Sequence, residues 1–363
     1  MNNGLQQTPS KLQTELQHSG DFLAITRQYP WHLNESFTFT VTHSNSSIKV
    51  SVIDTGLIMF EPDGQPSTKD IVLSSGVHGN ETAPIEICAD LVQQLILGQQ
   101  MLAERVLFIF GNPASMNIAE RFIEENMNRL FSGGHSLDQG NGAGLINKER
   151  HRALLLENTV RDFYLRGNDI SAHRERYHYD LHTAIRGSKN DKFAVYPFLH
   201  GKPRNKRQLQ FLQASGITTI LLSHSPTTTF SYFSSNEFGA HAFTVELGKV
   251  KPFGENDMSQ FSAIKQSLIQ LIANQEVSYT PFDETQFNIY EIFQIIKRNN
   301  TVFTLNFADD VENFTDFPVG FVLAKDGNID VKVKQTGEAI IFPNADVAIG
   351  QRALLTVVPT SLE

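Results

Sequence analysis

Two apolar runs, IVLSSG at residues 71–76 and VLFIFG at residues 106–111, bracket a stretch with helical spacing, and this pattern constrains the fold more than any other feature. Between them, Ile85, Cys88, Leu91, Val92 and Leu95 recur at the three-to-four-residue interval of one helix face. Strand, helix, strand of this kind is a βαβ unit, and strands apolar along their whole length need cover on both faces. Further strand-like runs at 177–182, 193–197, 217–222 and 242–247 alternate with helical patterns at 150–165, 204–212 and 258–273. The chain therefore reads as an α/β protein with a mixed or largely parallel sheet flanked by helices. Two alternating stretches, 36–42 and 47–54, joined by a turn at 44–46, precede that unit as half-buried strands. After Tyr279 the pattern changes to short β-like runs at 301–307, 319–324, 329–333, 338–342 and 354–358. This predicts a small all-β domain over residues 276–363 behind a catalytic domain over residues 1–275.

Composition narrows the classes of function. A chain of 363 residues, 40% hydrophobic and with 27 Phe, can bury a large core in one or two domains. With 30 basic against 39 acidic side chains the net charge is −9, and no block of Lys and Arg occurs, so neither nucleic acid nor a membrane is expected as a partner. Cys88 is the only cysteine, which excludes an internal disulfide and fits a reducing compartment. The first thirty residues lack a basic start followed by an apolar run, and no segment approaches 18 apolar residues, so a cytoplasmic protein is expected. The oligomeric state is left open. Residues 132–144, SGGHSLDQGNGAG, read as a mobile surface loop; GNGAG follows no strand and is no phosphate cradle.

The strongest chemical signal lies where the first buried strand ends, in SGVHGNETAP. An imidazole and a carboxylate three residues apart, His78 and Glu81, can reach one zinc ion from a turn entering a helix. Alone, the pair is served as well by a surface His and a Glu favoured by the helix dipole. A catalytic ion needs a third ligand, and His182 ends the alternating run YHYDLH. His178 is rejected as its partner, because four residues along a strand span about 13 Å. Glu246, set among Phe243, Val245 and Leu247, is the candidate proton acceptor, since a buried carboxylate without a purpose is costly. The stretch after the second strand supplies Arg121 for charge on a carbonyl oxygen, and Asn128 with Arg129 as a fork for a carboxylate. Basic residues on a solvated helix face are the ordinary alternative for these.

Together, GVHGNETAP, GNPASMNIAERFIEENMNRLF, DLHTAIRGS and TVELGKVKPFGEND resemble the aspartoacylase and succinylglutamate desuccinylase branch of the zinc carboxypeptidase superfamily. The likeness runs in order from about Leu73 to Asp257 and continues more weakly to FPN at Phe342 to Asn344. HTAIRGS and the ELGK stretch are most similar to the desuccinylase members. The resemblance implies one Zn²⁺ per subunit on His78, Glu81 and His182, with Glu246 promoting the attack of water. It further implies Arg121 at the scissile carbonyl, and Asn128 and Arg129 on a substrate carboxylate. The implied reaction converts N-succinyl-L-glutamate and water to succinate and L-glutamate, the last step of arginine degradation by the succinyltransferase route. An aspartoacylase-like deacylase or a metallocarboxypeptidase is the alternative. A small anionic substrate with three carboxylates asks for more cations, and Arg186 and Lys249 are the expected ones. Two positions depart from the family pattern: Asn126 stands where many relatives carry Asp, and Asn236 where some carry a substrate-binding Arg.

Overall fold

The order of a mixed sheet follows from which strands are apolar on both faces and which on one. The computed structural model describes residues 9–43, 46–64, 66–138, 142–166 and 174–362. Two N-terminal helices, α1 (Lys11–Ser19) and α2 (Phe22–Gln28), precede an antiparallel run of β1 (Phe37–His43), β2 (Ser46–Asp54) and β3 (Leu57–Asp63). Then come β4 (Lys69–Ser75), α3 (Thr82–Ile96), β5 (Arg105–Phe110), α4 (Pro113–Asn117), α5 (Lys148–Arg166) and β6 (Glu175–Ala184). The remainder is β7 (Phe193–Tyr196), α6 (Lys206–Ala214), β8 (Thr219–Leu222), α7 (Phe230–Phe238), β9 (His241–Lys249) and α8 (Ser262–Ile272), followed only by strands and short turns. Those strands are β10 (Asn288–Lys297), β11 (Phe303–Leu305), β12 (Val322–Asp326), β13 (Ile329–Lys332), β14 (Ala339–Ile341) and β15 (Arg352–Pro359).

One twelve-stranded sheet carries the order β1-β2-β3-β5-β4-β6-β9-β7-β8-β10-β15-β14. Its centre, β5-β4-β6-β9, is parallel. Alternation along β4 sends Ile71 and Leu73 to one face, against Leu91 of α3 and Leu268 of α8, and Val72 to the other, against Val160 of α5 and Phe233 of α7. Both faces are thus covered by helices, as the apolar runs require. The β-rich C-terminus divides: β10 pairs in parallel with β8, and β15 and β14 extend the large sheet, while β11-β12-β13 form a separate antiparallel sheet. Among the described residues no helix is long and apolar enough to cross a membrane.

Six elements escape the sequence patterns: the short helices α1, α2 and α4, and β3, β10 and α7. β3 (LIMFEPD) and β10 (NIYEIFQIIK) lack clean alternation, and β10 leaves Phe293 and Ile295 exposed. α7 (FSYFSSNEF) is poor in helix formers and is held by burial of Phe230 and Phe233 instead. The glycine-rich loop is also organised where it is described. Buried Arg150 donates through Nη1 to the carbonyls of Leu137 (3.0 Å), Gly142 (2.9 Å) and Gly144 (2.9 Å). It also pairs with Glu125 at 2.8 Å, so these residues are pinned rather than loose; residues 139–141 lie outside the described residues.

The chain reverses direction across the sheet at β4: α3 carries it to β5 on one side, and β6 lies on the other. Crevices outside the carboxyl ends of strands at such a switch are where ligands bind in open α/β sheets. The β4 exit is shaped by glycine. At Gly79 a Cβ would lie 2.3 Å from the backbone of Met116 and Ser115. Gly79→Ala therefore has to displace the turn carrying His78 or the start of α4, and is expected to cost roughly 1–3 kcal/mol. Urea denaturation compared with the unaltered protein checks this.

Candidate active site

His78 and Glu81 leave the end of β4, and His182 lies near the end of the neighbouring β6. Glu246 on β9 is directly opposite His182 in the β6–β9 register. Neighbouring strand ends of one parallel sheet therefore bring residues 168 positions apart in sequence to one crevice. Donor atoms of His78, Glu81 and His182 all lie within 4.8 Å of one another, and all three side chains are buried. His78 Nδ1 is 2.9 Å from Glu81 Oε1, and His182 Nδ1 is 2.8 Å from Glu81 Oε2.

Hydrogen bonds on the far side of each ring decide which nitrogen faces the centre. The Asn126 side-chain oxygen accepts the backbone N–H of Asn128 at 3.1 Å, which identifies it as oxygen, and it lies 2.9 Å from His78 Nε2. His78 must donate there, so its Nδ1 lone pair points at Glu81. Burial, and then the charge of Arg121, push the His78 imidazole down to about 4. A neutral nitrogen lone pair facing a carboxylate oxygen at 2.9 Å is repulsive unless a cation lies between them. That donor set fits a divalent ion.

His182 is fixed in the same way. Its Nε2 is 2.9 Å from Asp180 Oδ2, whose other oxygen accepts from Ser74 Oγ at 2.5 Å. Burial opposes protonation of His182, but the charges of Asp180 and Glu81 outweigh it and hold the imidazole well above its usual range. Ser74 Oγ also lies 2.8 Å from His178 Nε2, so His178 belongs to the support behind the centre and is not a ligand in it. Burial raises Glu81 too, yet His78, His182 and Arg121 together keep its carboxyl well below the usual range. The Thr183 amide adds a hydrogen bond to Glu81 Oε2 at 3.1 Å.

Around this centre lies a cavity lined by His78, Arg121, Asn128, Arg129, His182 and Glu246 among others. Burial, acting against the charge of His182, pushes the Glu246 carboxyl up to about 7, and its Oε2 is buried without a hydrogen-bond partner. Arg121 Nη1 donates to Glu81 Oε1 at 2.5 Å. The Asn128 side-chain oxygen accepts from the Phe230 amide at 3.1 Å, which leaves its NH₂ group to donate elsewhere. Arg129 is pushed down to about 10, first by burial and then by Arg121.

The structure brings together His78, Glu81, His182, Glu246, Arg121, Asn128 and Arg129, and it places Arg186 in the cavity wall. Arg186 is partly engaged there, donating to Asp309 Oδ1 at 3.4 Å and to the Ala308 carbonyl at 3.3 Å. Lys249 does not join them: it is exposed at the end of β9, outside the cavity wall, where a bulge after Glu246 sets it opposite Ala184. Asn236 is exposed on α7, also outside that wall. Sequence reasoning missed Asp180, although its place two residues before His182 on an alternating strand put both on one face. It also missed Arg352, which no local pattern marks.

Donors gathered at the carboxyl ends of a mixed sheet, with a second carboxylate buried beside them, are the equipment of a hydrolase with carboxypeptidase-like architecture. Comparison narrows this further. The chain belongs to the succinylglutamate desuccinylase/aspartoacylase family: the model of its catalytic domain matches residues 67–272, and that of the AstE/AspA barrel-sandwich hybrid domain matches residues 285–360. It is 53% identical to the succinylglutamate desuccinylase of Idiomarina loihiensis over 94% of this chain and 97% of that one. Among solved structures, the succinylglutamate desuccinylase of Vibrio parahaemolyticus superposes with a TM-score of 0.79 at 36% identity, covering 93% of this chain and 94% of that one. The one from Chromobacterium violaceum gives 0.79 at 34% identity, over 94% and 98%.

The supports behind the rings make an opposed pair of predictions. Asp180→Asn weakens the acceptor on His182 and is expected to lower affinity for a divalent ion at this centre about 10–100-fold. Asn126→Asp strengthens the acceptor on His78 and is expected to raise it. Competition with a chromophoric chelator reads both.

Proposed function

We propose that this protein hydrolyses the amide bond of N-succinyl-L-glutamate to succinate and L-glutamate, with Zn²⁺ held by His78, Glu81 and His182. The observation that carries the reading is Glu246: a buried carboxylate oxygen without a partner, beside the three donors, in a cavity whose wall carries Arg121, Arg129, Arg186 and Arg352. A protein of net charge −9 that concentrates four guanidinium groups around one buried base is suited to a small polyanionic amide. The names of its relatives agree with that substrate. On this reading it performs the last step of arginine degradation through succinylated intermediates, in the cytoplasm.

When bound, the zinc ion supplies Lewis acidity to water and to the scissile carbonyl. Glu246 Oε2 accepts a proton from the attacking water and returns it to the amide nitrogen as the carbon–nitrogen bond breaks. Its raised pKa suits both directions of transfer, since such a carboxyl binds and releases a proton near neutral pH. Arg121 swings from Glu81 to the carbonyl oxygen and stabilises the charge that develops on it. Asn128 and Arg129 hold the α-carboxylate of the glutamate half, a charge-assisted contact worth about 1.5–3 kcal/mol per hydrogen bond. Far-side acceptors keep both imidazoles turned to the centre throughout.

Glu246→Gln keeps the shape and removes the proton acceptor. Zinc content is expected to stay at one per chain while succinate release falls by about 10²-fold or more. N-acetyl-L-aspartate and a peptide with a free C-terminus, assayed beside N-succinyl-L-glutamate with the unaltered protein, are expected to react far more slowly. Equal rates on all three would contradict the substrate, and retained turnover in Glu246→Gln would contradict the base.

A further inference from the structure

Arg352 opens β15 and enters the cavity from the C-terminal strands, far in sequence from His78, Glu81, Arg121, His182 and Glu246. Nothing in the fold uses its charge. Among the described residues its side chain makes no hydrogen bond and no ion pair, and its Nε is buried without a partner. The only contact that meets its guanidinium is the ring of Phe342, 5.7 Å away. The charges that bear on it most are those of Arg129 and then Arg121, both of its own sign. Burial, with that repulsion, holds Arg352 well below the usual range of a guanidinium.

A half-buried cation kept against two like charges, without an acceptor for its buried Nε, is costly to the fold. Costs of this kind collect at binding sites. The segment that holds Arg352 in place shows a second one. Phe342 has a φ of 52°, the left-handed region that a bulky side chain rarely adopts. Its amide donates to Asn313 Oδ1 at 2.8 Å, and the Asn344 amide donates to the Ala353 carbonyl at 2.7 Å, which ties this strained turn to β15 beside Arg352. Glu246 is the only carboxylate among the side chains in the cavity wall, and its role is to exchange a proton. The missing negative charge must therefore come with the ligand.

We propose that Arg352 receives the side-chain carboxylate of the amino-acid half of the substrate and so sets the preference for an acidic amino acid. This rests on the reading above and deepens it. Arg121 is committed to the scissile carbonyl, Asn128 and Arg129 to the α-carboxylate, and Arg186 is partly held by Asp309. Arg352 stands next to the α-carboxylate clamp, and the side-chain carboxylate of glutamate lies two methylenes beyond the α-carbon. The succinyl end, across the scissile bond, falls to Arg186.

The test is binding to zinc-loaded protein carrying Glu246→Gln, so that ligand is not consumed. Calorimetry compares N-succinyl-L-glutamate with N-succinyl-L-glutamine, which lacks only the side-chain charge, and with N-butyryl-L-glutamate, which lacks only the succinyl charge. With Arg352 present, the glutamate compound is expected to bind about tenfold or more tightly than the glutamine compound. Arg352→Gln is expected to abolish that preference and leave affinity for the glutamine compound nearly unchanged, while Arg352→Lys keeps part of it. The unfolding temperature of Arg352→Gln without ligand is expected to be equal or higher, because a repelled cation is gone; a structural arginine would lower it. No preference at the outset, equal loss for both amino-acid compounds, a loss that follows the succinyl charge, or a lowered unfolding temperature would overturn the proposal. Failure of the substrate reading is separate: it appears as absent succinate release by the unaltered protein.

Discussion

Glu81 is the hinge of the site because it faces both imidazoles at once, one with each oxygen. That arrangement holds only while each ring presents Nδ1 inward, and the far-side acceptors, Asn126 for His78 and Asp180 for His182, enforce it. The two acceptors differ in kind. Asp180 is buried, charged and supported by Ser74, and it holds its imidazole through an ionic hydrogen bond. Asn126 is a neutral amide that holds its imidazole through geometry alone. The two histidines are therefore unequal, with His78 the less basic of the pair.

The fold accounts for this convergence without special local structure. Parallel strands deliver their carboxyl ends to one edge, and the reversal at β4 opens a crevice there. His78 follows β4, and His182 near the end of β6 stands opposite Glu246 on β9, so the sheet itself sets their spacing. The C-terminal strands complete the cavity by continuing the same sheet through β10 and β15. They place Phe342 and Arg352 in the wall of the cavity that also carries His78 and His182. The cavity's guanidinium groups are in this way divided between the helix-covered core of the sheet and its β-rich end.

Legibility from sequence tracked how local each signal was. The βαβ unit was legible because Ile71, Leu73, Val106 and Phe108 are buried on β-type runs and Leu91 and Leu95 on a helical one. His78, Glu81, His182 and Glu246 were legible because each polar group interrupts an apolar pattern at a strand end. Lys249 stands outside the cavity wall, since nearness to Glu246 in sequence does not register the bulge between them. β3 and β10 were missed because pairing with neighbouring strands places them, and α7 because burial of Phe230 and Phe233, rather than helix propensity, holds it. Arg150 organises the glycine-rich loop through carbonyl contacts that composition does not register. Arg352 is a tertiary feature: its meaning lies in being unpaired beside Arg129 and Arg121.

The central claim is that two imidazole Nδ1 atoms and the Glu81 carboxylate share one zinc ion. Anomalous diffraction at the zinc edge from crystals of the zinc-loaded protein tests it most directly. The account predicts one strong peak at about 2.0–2.2 Å from His78 Nδ1, His182 Nδ1 and a Glu81 oxygen, with Nε2 of each ring still turned to Asn126 and Asp180. A peak ligated through Nε2, or one centred on His178 and Asp180, would contradict it.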